Sequence, residues 1–177
     1  MKTINAVSFL TLTILCGLPT LLAAADTVPD TLFLKEAPAQ PGNVAELKKT
    51  VKAGDEIVLR GQIGGQKADV FNASRAVVMV ADMKLVSCDK IPGDKCETPW
   101  DFCCVPVTEK NASVALVQVA DEKGRPLKTT LKGVNGLDHL SVVVVKGKVK
   151  MNEAGNLLVN ATGIYVEPKP VKTEDKK

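Results

Sequence analysis

Six valine-rich segments, each bounded by turn-forming residues, constrain the fold of this chain more than any other feature. In the first of them, EIVLRGQIG, the apolar residues Ile57, Leu59 and Ile63 alternate with residues that include Arg60 and Gln62. Alternation with a period of two is typical of a β-strand with one buried face. The six predicted strands are residues 56–64, 76–82, 113–121, 127–133, 140–150 and 157–167.

The connections between these segments favour antiparallel pairing. The sequences DEKGRP, from residue 121, and NEAGN, from residue 152, contain the glycine that hairpin loops use. Strands of this length must bury a valine face and leave few open edges, and a small closed barrel does both. Gly61 and Gly147 stand inside predicted strands, which fits the sharp coiling of a small barrel. We therefore expect a mainly β domain built as a barrel, with a sandwich as the alternative.

One short helix is predicted ahead of the strands, over residues 43–53. Asn43 and Glu46 form an N-cap and N3 pair, and Val44 and Leu47 fall on one helical face. This is the one stretch of the chain outside the N-terminal leader with a clear helical pattern.

The ends of the chain differ in composition from its middle. Residues 1–25 combine Lys2, an apolar run and the small residues Ala23 and Ala25, which is the pattern of a cleaved export signal. We expect a periplasmic or secreted protein with no stable membrane span after signal cleavage. The predicted organisation is a signal peptide (1–25), a flexible proline-rich linker (26–42), a folded domain (43–167) with a cysteine-rich insertion (88–104), and a disordered charged tail (168–177).

Four cysteines lie within the short insertion, at Cys88, Cys96, Cys103 and Cys104. In an oxidising compartment, two disulfides are the default, with one of the adjacent cysteines joined to Cys88 and the other to Cys96. The alternative is a soft transition metal such as zinc or copper, although the close C-x(2–4)-C pairs of zinc knuckles are absent. A redox role is the third alternative, and it lacks the C-x-x-C arrangement.

Other residues of the insertion supply further candidates. Trp100, Asp101 and Phe102 lie between the cysteines and are candidate ligand-binding residues, since insertions on rigid scaffolds often carry function. Asp89, Asp94, Asp101 and His139 are additional metal-ligand candidates, at spacings that are not diagnostic.

Several function classes are disfavoured by what the sequence contains. His139 is the only histidine, which removes most arrangements for acid-base or nucleophilic catalysis. The chain carries 23 basic and 20 acidic residues, with few aromatic residues to stack on bases, so nucleic acid is not an expected partner. We therefore expect a protein that is not an enzyme.

The sequence also resembles a known group of proteins. The stretches GDEIVLRGQIGG and VVVVKGKVKMNEAGNLLVNATGIYVE resemble the first strand and the closing hairpin of OB-fold domains. Together with CETPWDFCC and VQVADEKGRPL, they resemble an uncharacterised family of exported bacterial proteins. The resemblance implies a small OB-fold-like barrel of five to six strands with one short N-terminal helix and a cysteine-rich loop insertion; it implies no activity.

The leading hypothesis is an exported, non-enzymatic binding or interaction module with a disulfide-stapled recognition loop and no cofactor. Its partner would be an envelope or secreted protein, or a small ligand. The alternative is a metal-binding or metal-handling protein of the cell envelope that uses the four loop cysteines. A purely structural envelope component is a third hypothesis.

Overall fold

The computed structural model describes residues 26–66, 69–151 and 156–169. The predicted signal peptide, residues 1–25, and most of the predicted tail, residues 170–177, lie outside the described residues.

The described residues form a mainly β fold with short helices. The six strands are β1 (Gly42–Asn43), β2 (Glu56–Ile63), β3 (Val77–Ala81), β4 (Val114–Gln118), β5 (Val142–Met151) and β6 (Leu157–Val166). The α-helices are α1 (Val44–Thr50) and α2 (Val107–Ala112), and short 3-10 helices occupy Asp30–Leu32, Cys88–Lys90 and Val134–Gly136.

Five of the strands close into a barrel, as the sequence predicts. β2, β3 and β4 pair in antiparallel order, and β4 pairs in parallel with β6. β5 pairs in antiparallel fashion with both β6 and β2, which closes the sheet. This arrangement agrees with the expected small OB-like barrel, and β1 adds a two-residue parallel strand to β2.

Alternating side chains from every barrel strand build the core. Leu59, Val80, Val117, Val145 and Val159 are all buried, and on β2 and β6 the residues on either side of Leu59 and Val159 are more exposed. Burying each such side chain contributes about 1.5–3 kcal/mol relative to leaving it exposed. The alternating valines in the sequence therefore identify residues on the inner face of the barrel.

The two mid-strand glycines stand where neighbouring strands approach closely. A Cβ atom on Gly61 would lie 2.5 Å from the Ala81 carbonyl oxygen, and one on Gly147 would lie 2.4 Å from the Asn160 carbonyl oxygen. The β5–β6 register also shifts here: Lys146 pairs with Gly163 and Gly147 with Ala161, which leaves Thr162 of β6 as the extra residue. Any residue larger than glycine at either position would clash with the backbone of the neighbouring strand.

The prediction of a flexible linker over residues 26–42 is wrong for much of that segment. Leu32 is buried in the core, and the backbone N–H of Leu34 donates to the Ile164 carbonyl at 2.8 Å. Phe33 forms an isolated parallel bridge with Ile164. The proline content signals irregular backbone, but the apolar run at 32–34 supplies enough surface to pack this irregular segment onto the barrel.

Two further elements differ from expectation. The predicted strand at 127–133 is irregular in the structure, although Leu131 is fully buried in the core. α2 was not predicted, because none of its residues is buried and its sequence carries no apolar period.

Helix α1 is shorter than predicted and is capped from a distance. Asn43 makes no side-chain cap hydrogen bond. Instead, the backbone N–H of Ala45 donates to the Asp82 carboxylate at 2.9 Å. Asp82 is buried at the end of β3, so it ties α1 to the start of the β3–β4 connection.

Within the described residues, no helix combines the length and the apolar character that crossing a membrane requires.

Candidate functional site

The cysteine segment, residues 88–104, lies in the connection between β3 and β4 and folds back against the barrel. Phe102 anchors it: this side chain is 1% exposed and packs in a small cluster with Ala81 and Leu85. The Gly65 N–H donates to the Trp100 carbonyl at 3.2 Å. A Cβ atom on Gly64 would lie 2.7 Å from that same carbonyl oxygen, so the double glycine after β2 lets the segment approach the barrel.

Backbone hydrogen bonds fix the shape of the segment itself. The N–H of Cys88 donates to the Asp101 carbonyl at 2.9 Å, and that of Asp89 donates to the Pro99 carbonyl at 3.1 Å. These bonds hold the two ends of the segment side by side. Cys88 and Cys103 are thereby brought together although they are far apart in the sequence.

Asp101 and Phe102 are not exposed, which corrects their predicted role as ligand-binding residues. The Asp101 carboxylate accepts the Phe102 N–H at 2.7 Å and lies 3.9 Å from the Lys110 ammonium, with 6% of its side chain exposed. A buried carboxylate with these partners stabilises the local turn. Both residues therefore hold the segment in place instead of facing a ligand.

Trp100 is half-buried and stacks on His139, a pairing that the sequence did not predict. The two rings lie 3.9 Å apart between centroids at an angle of 21°. Phe71 meets the same imidazole edge to face at 5.4 Å, and the Asp69 carboxylate lies 3.0 Å from His139 Nε2. His139 therefore joins the cysteine segment to the β2–β3 and β4–β5 connections.

The four cysteines of the described region are free thiols, and three of their sulfurs converge. The Sγ atoms of Cys88, Cys96 and Cys103 all lie within 4.8 Å of one another. The sulfurs of Cys88 and Cys103 are 3.2 Å apart. Three thiols this close can be ligands of one soft metal ion.

Cys104 stands at the edge of this cluster. Its Sγ lies 3.8 Å from that of Cys103, and these two sulfurs form a second close group with an Asp94 carboxylate oxygen. Both Cys103 and Cys104 are exposed, whereas Cys88 is 3% exposed. Of the other predicted metal-ligand candidates, Asp89 accepts a hydrogen bond from Ser87 and His139 belongs to the aromatic cluster.

The thiols differ in acidity for identifiable reasons. Burial raises the pKa of the Cys88 thiol to about 12, and the neighbouring sulfurs reinforce that shift. Hydrogen bonds to Thr98 lower the pKa of the Cys96 thiol; the bond with the Thr98 hydroxyl has the larger effect and the bond with its backbone the smaller. The hydrogen bond with Cys103 raises the pKa of Cys104. Of these three thiols, only that of Cys96 has its pKa lowered.

A groove of about 620 Å³ borders the cysteine segment. Arg60 and Gln62 of β2 line it, together with Lys90, His139 and Glu167. Within it, Arg60 and Glu167 form a bidentate ion pair at 2.6 and 2.8 Å. The Lys90 ammonium donates to Gln62 at 3.1 Å.

Comparisons with protein-family models, with curated proteins and with solved structures gave no significant match to this chain.

Proposed function

We propose that the protein is an exported, non-enzymatic metal-binding protein of the cell envelope, which holds a thiophilic transition-metal ion in its cysteine segment. The observation that carries the proposal is the convergence of three sulfurs, from Cys88, Cys96 and Cys103, within 4.8 Å of one another. Thiolates are the ligands preferred by zinc and by monovalent copper.

The burial of the aromatic anchors supports this proposal over a recognition surface made by the same segment. Phe102 and Asp101 are almost fully buried, and Trp100 is stacked on His139. The sulfurs of Cys96, Cys103 and Cys104 are then the distinctive groups that the segment offers to solvent. A segment held by buried anchors on a barrel is also the rigid support that a metal site needs.

The proposal is tested by adding Zn(II) or Cu(I) to the reduced protein under anaerobic conditions and measuring bound metal after gel filtration. One equivalent of metal should stay with the protein, and the double variant Cys88→Ser/Cys96→Ser should lose it. Binding by the double variant equal to that of the wild type would place the metal elsewhere and contradict the proposal.

The second candidate function is the stapled binding module, and two observations favour it. The sulfurs of Cys88 and Cys103 are 3.2 Å apart, so a modest side-chain rotation would allow a disulfide, which typically stabilises a loop of this length by about 3 kcal/mol. The neighbouring groove could then accept a small ligand or a segment of an envelope or secreted protein. Thiol counting separates the two functions, because a stapled module has no alkylatable cysteine before reduction.

A further inference from the structure

The number of sulfur ligands in the cluster indicates which metal ion it binds, because metal ions differ in the number of ligands that they prefer. Resting on the proposed metal-binding function, we infer that Cys88, Cys96 and Cys103 bind monovalent copper in three-coordinate form, and that Cys104 stays outside the coordination sphere.

The spacing of the three sulfurs fits one shared ion. Sulfurs placed about 2.3 Å from a common metal in one plane stand about 4 Å apart. The sulfurs of Cys88 and Cys103 are 3.2 Å apart, and no two of the three sulfurs are more than 4.8 Å apart. The required value lies between these two figures, so small rotations of the side chains are enough for the three sulfurs to share one ion.

Zinc requires a fourth ligand and monovalent copper does not, so the availability of a fourth ligand decides which of the two metals fits the site. Structural zinc sites are almost always four-coordinate, whereas soft thiolate sets also suit monovalent copper. Within the part of the chain that the structure describes, no histidine nitrogen or carboxylate oxygen joins the close group of Cys88, Cys96 and Cys103. Asp94 groups with Cys103 and Cys104 instead.

The only histidine is committed elsewhere. His139 Nε2 lies 3.0 Å from the Asp69 carboxylate, and its ring is stacked on Trp100. Recruiting it as a fourth ligand would break both contacts. The fourth cysteine of the segment, Cys104, is exposed, and its sulfur groups with the Cys103 sulfur and an Asp94 carboxylate oxygen and not with the sulfurs of Cys88 and Cys96.

Loading of the site is a ligand exchange without a change of oxidation state. Each of the three thiols loses its proton to solvent as its sulfur binds, and copper arrives and remains as Cu(I). The buried sulfur of Cys88 forms the inner end of the site and the exposed Cys103 the outer end. A soft ion held this way is partly shielded from water.

The test compares the wild type with Cys104→Ser and Cys96→Ser, using Cu(I) and a competing Cu(I) chelator under anaerobic conditions. The Cys104→Ser protein should bind Cu(I) within about twofold of the wild type. The Cys96→Ser protein should bind at least about 100-fold more weakly, since disturbing only the residues around a ligand already costs 10–100-fold. X-ray absorption of the wild-type copper complex should report three sulfur ligands, a readout that does not depend on how well the variants fold.

The outcomes separate this inference from the proposed function. Four sulfur ligands, or equal losses in Cys104→Ser and Cys96→Ser, would overturn the three-coordinate copper site while leaving a metal-binding protein. Binding of zinc alone would do the same. A protein that retains neither metal would overturn the proposed function itself.

Discussion

At the scale of single residues, the buried thiol of Cys88 contributes to the pH dependence of metal binding. Its thiol has a pKa of about 12, so it is protonated throughout the neutral range and must lose a proton when a metal binds. Metal affinity should therefore rise with pH, by about tenfold per pH unit for each proton displaced. Competition titrations at pH 6, 7 and 8 measure this slope, and an affinity that is independent of pH would speak against the cysteine thiols as ligands.

The stack of Trp100 on His139 is a second residue-scale feature with a measurable consequence. Replacing His139 by Gln removes the stacked ring and should destabilise the protein by about 0.5–1.5 kcal/mol, the typical contribution of an aromatic pair. Emission from the only tryptophan should also shift to the red, because one face of the indole becomes open to water. Urea unfolding followed by fluorescence records both effects.

Lys84→Gln is the control for the His139 variant. The Lys84 side chain is 69% exposed and its ammonium pairs with Glu46 at 3.3 Å, so its loss should change stability by about 0–1 kcal/mol and leave the emission spectrum unchanged. Equal spectra for wild type and His139→Gln would show that the two rings do not stack in solution.

The sequence predicts which segment forms the candidate site, but it does not predict which of its side chains are buried and which face solvent. The density of cysteines between 88 and 104 identifies the segment without any structure. Whether Asp101 and Phe102 face a ligand or the core depends on how the segment folds back onto β2, which local patterns do not encode. The His139–Trp100 contact joins two separate connections, so it arises only when the barrel is closed.

At the scale of elements, Phe102 is the anchor that fixes the cysteine segment to the barrel. Phe102→Ala should cost about 3–5 kcal/mol of unfolding free energy, because it empties a fully buried site. It should also weaken metal binding, since the ends of the segment lose their common support. Denaturant unfolding and a metal titration of the same sample measure the two losses.

Val107→Ala on α2 is the matched control for Phe102→Ala. Val107 is 65% exposed, so its truncation should leave stability within about 0.5 kcal/mol and metal affinity unchanged. A Phe102→Ala protein as stable as this control would mean that the segment is not anchored through Phe102.

The N-terminal segment provides a second element-scale prediction. Leu32→Ala should destabilise the protein by about 2–5 kcal/mol, because Leu32 belongs to the buried core cluster. A flexible linker would show no such loss. Thermal unfolding of Leu32→Ala beside Lys35→Ala, an exposed neighbour, distinguishes a packed segment from a tether.

The strands are the elements that sequence reasoning predicts best, because alternation of valine with other residues directly reflects a one-sided environment. β2, β3, β4 and β6 fall within predicted segments, and β5 extends one residue past its predicted segment, to Met151. The segment at 127–133 was assigned wrongly, since Leu127 and Leu131 pack on the core from irregular backbone and imitate the apolar content of a strand.

At the scale of the whole molecule, barrel closure determines which connections meet. The antiparallel pairing of β2 with β5 and the parallel pairing of β4 with β6 join strands that are distant in the sequence. Turn signals reveal hairpins, but these non-local pairings follow from the need to close the sheet and cover its edges. Closure brings the β2–β3 connection, the cysteine segment and the β4–β5 connection to one side of the barrel, where Trp100 and His139 meet.

The most direct test of the proposed function is the intact mass of the protein isolated from its native cells, measured under native conditions and again after unfolding and alkylation. The metal-binding function predicts one bound metal ion in the native spectrum and four alkylated cysteines after unfolding without reductant. A mass about four hydrogens below that of the reduced chain, with no metal and no alkylation, would establish two disulfides. It would contradict metal binding and favour the stapled module.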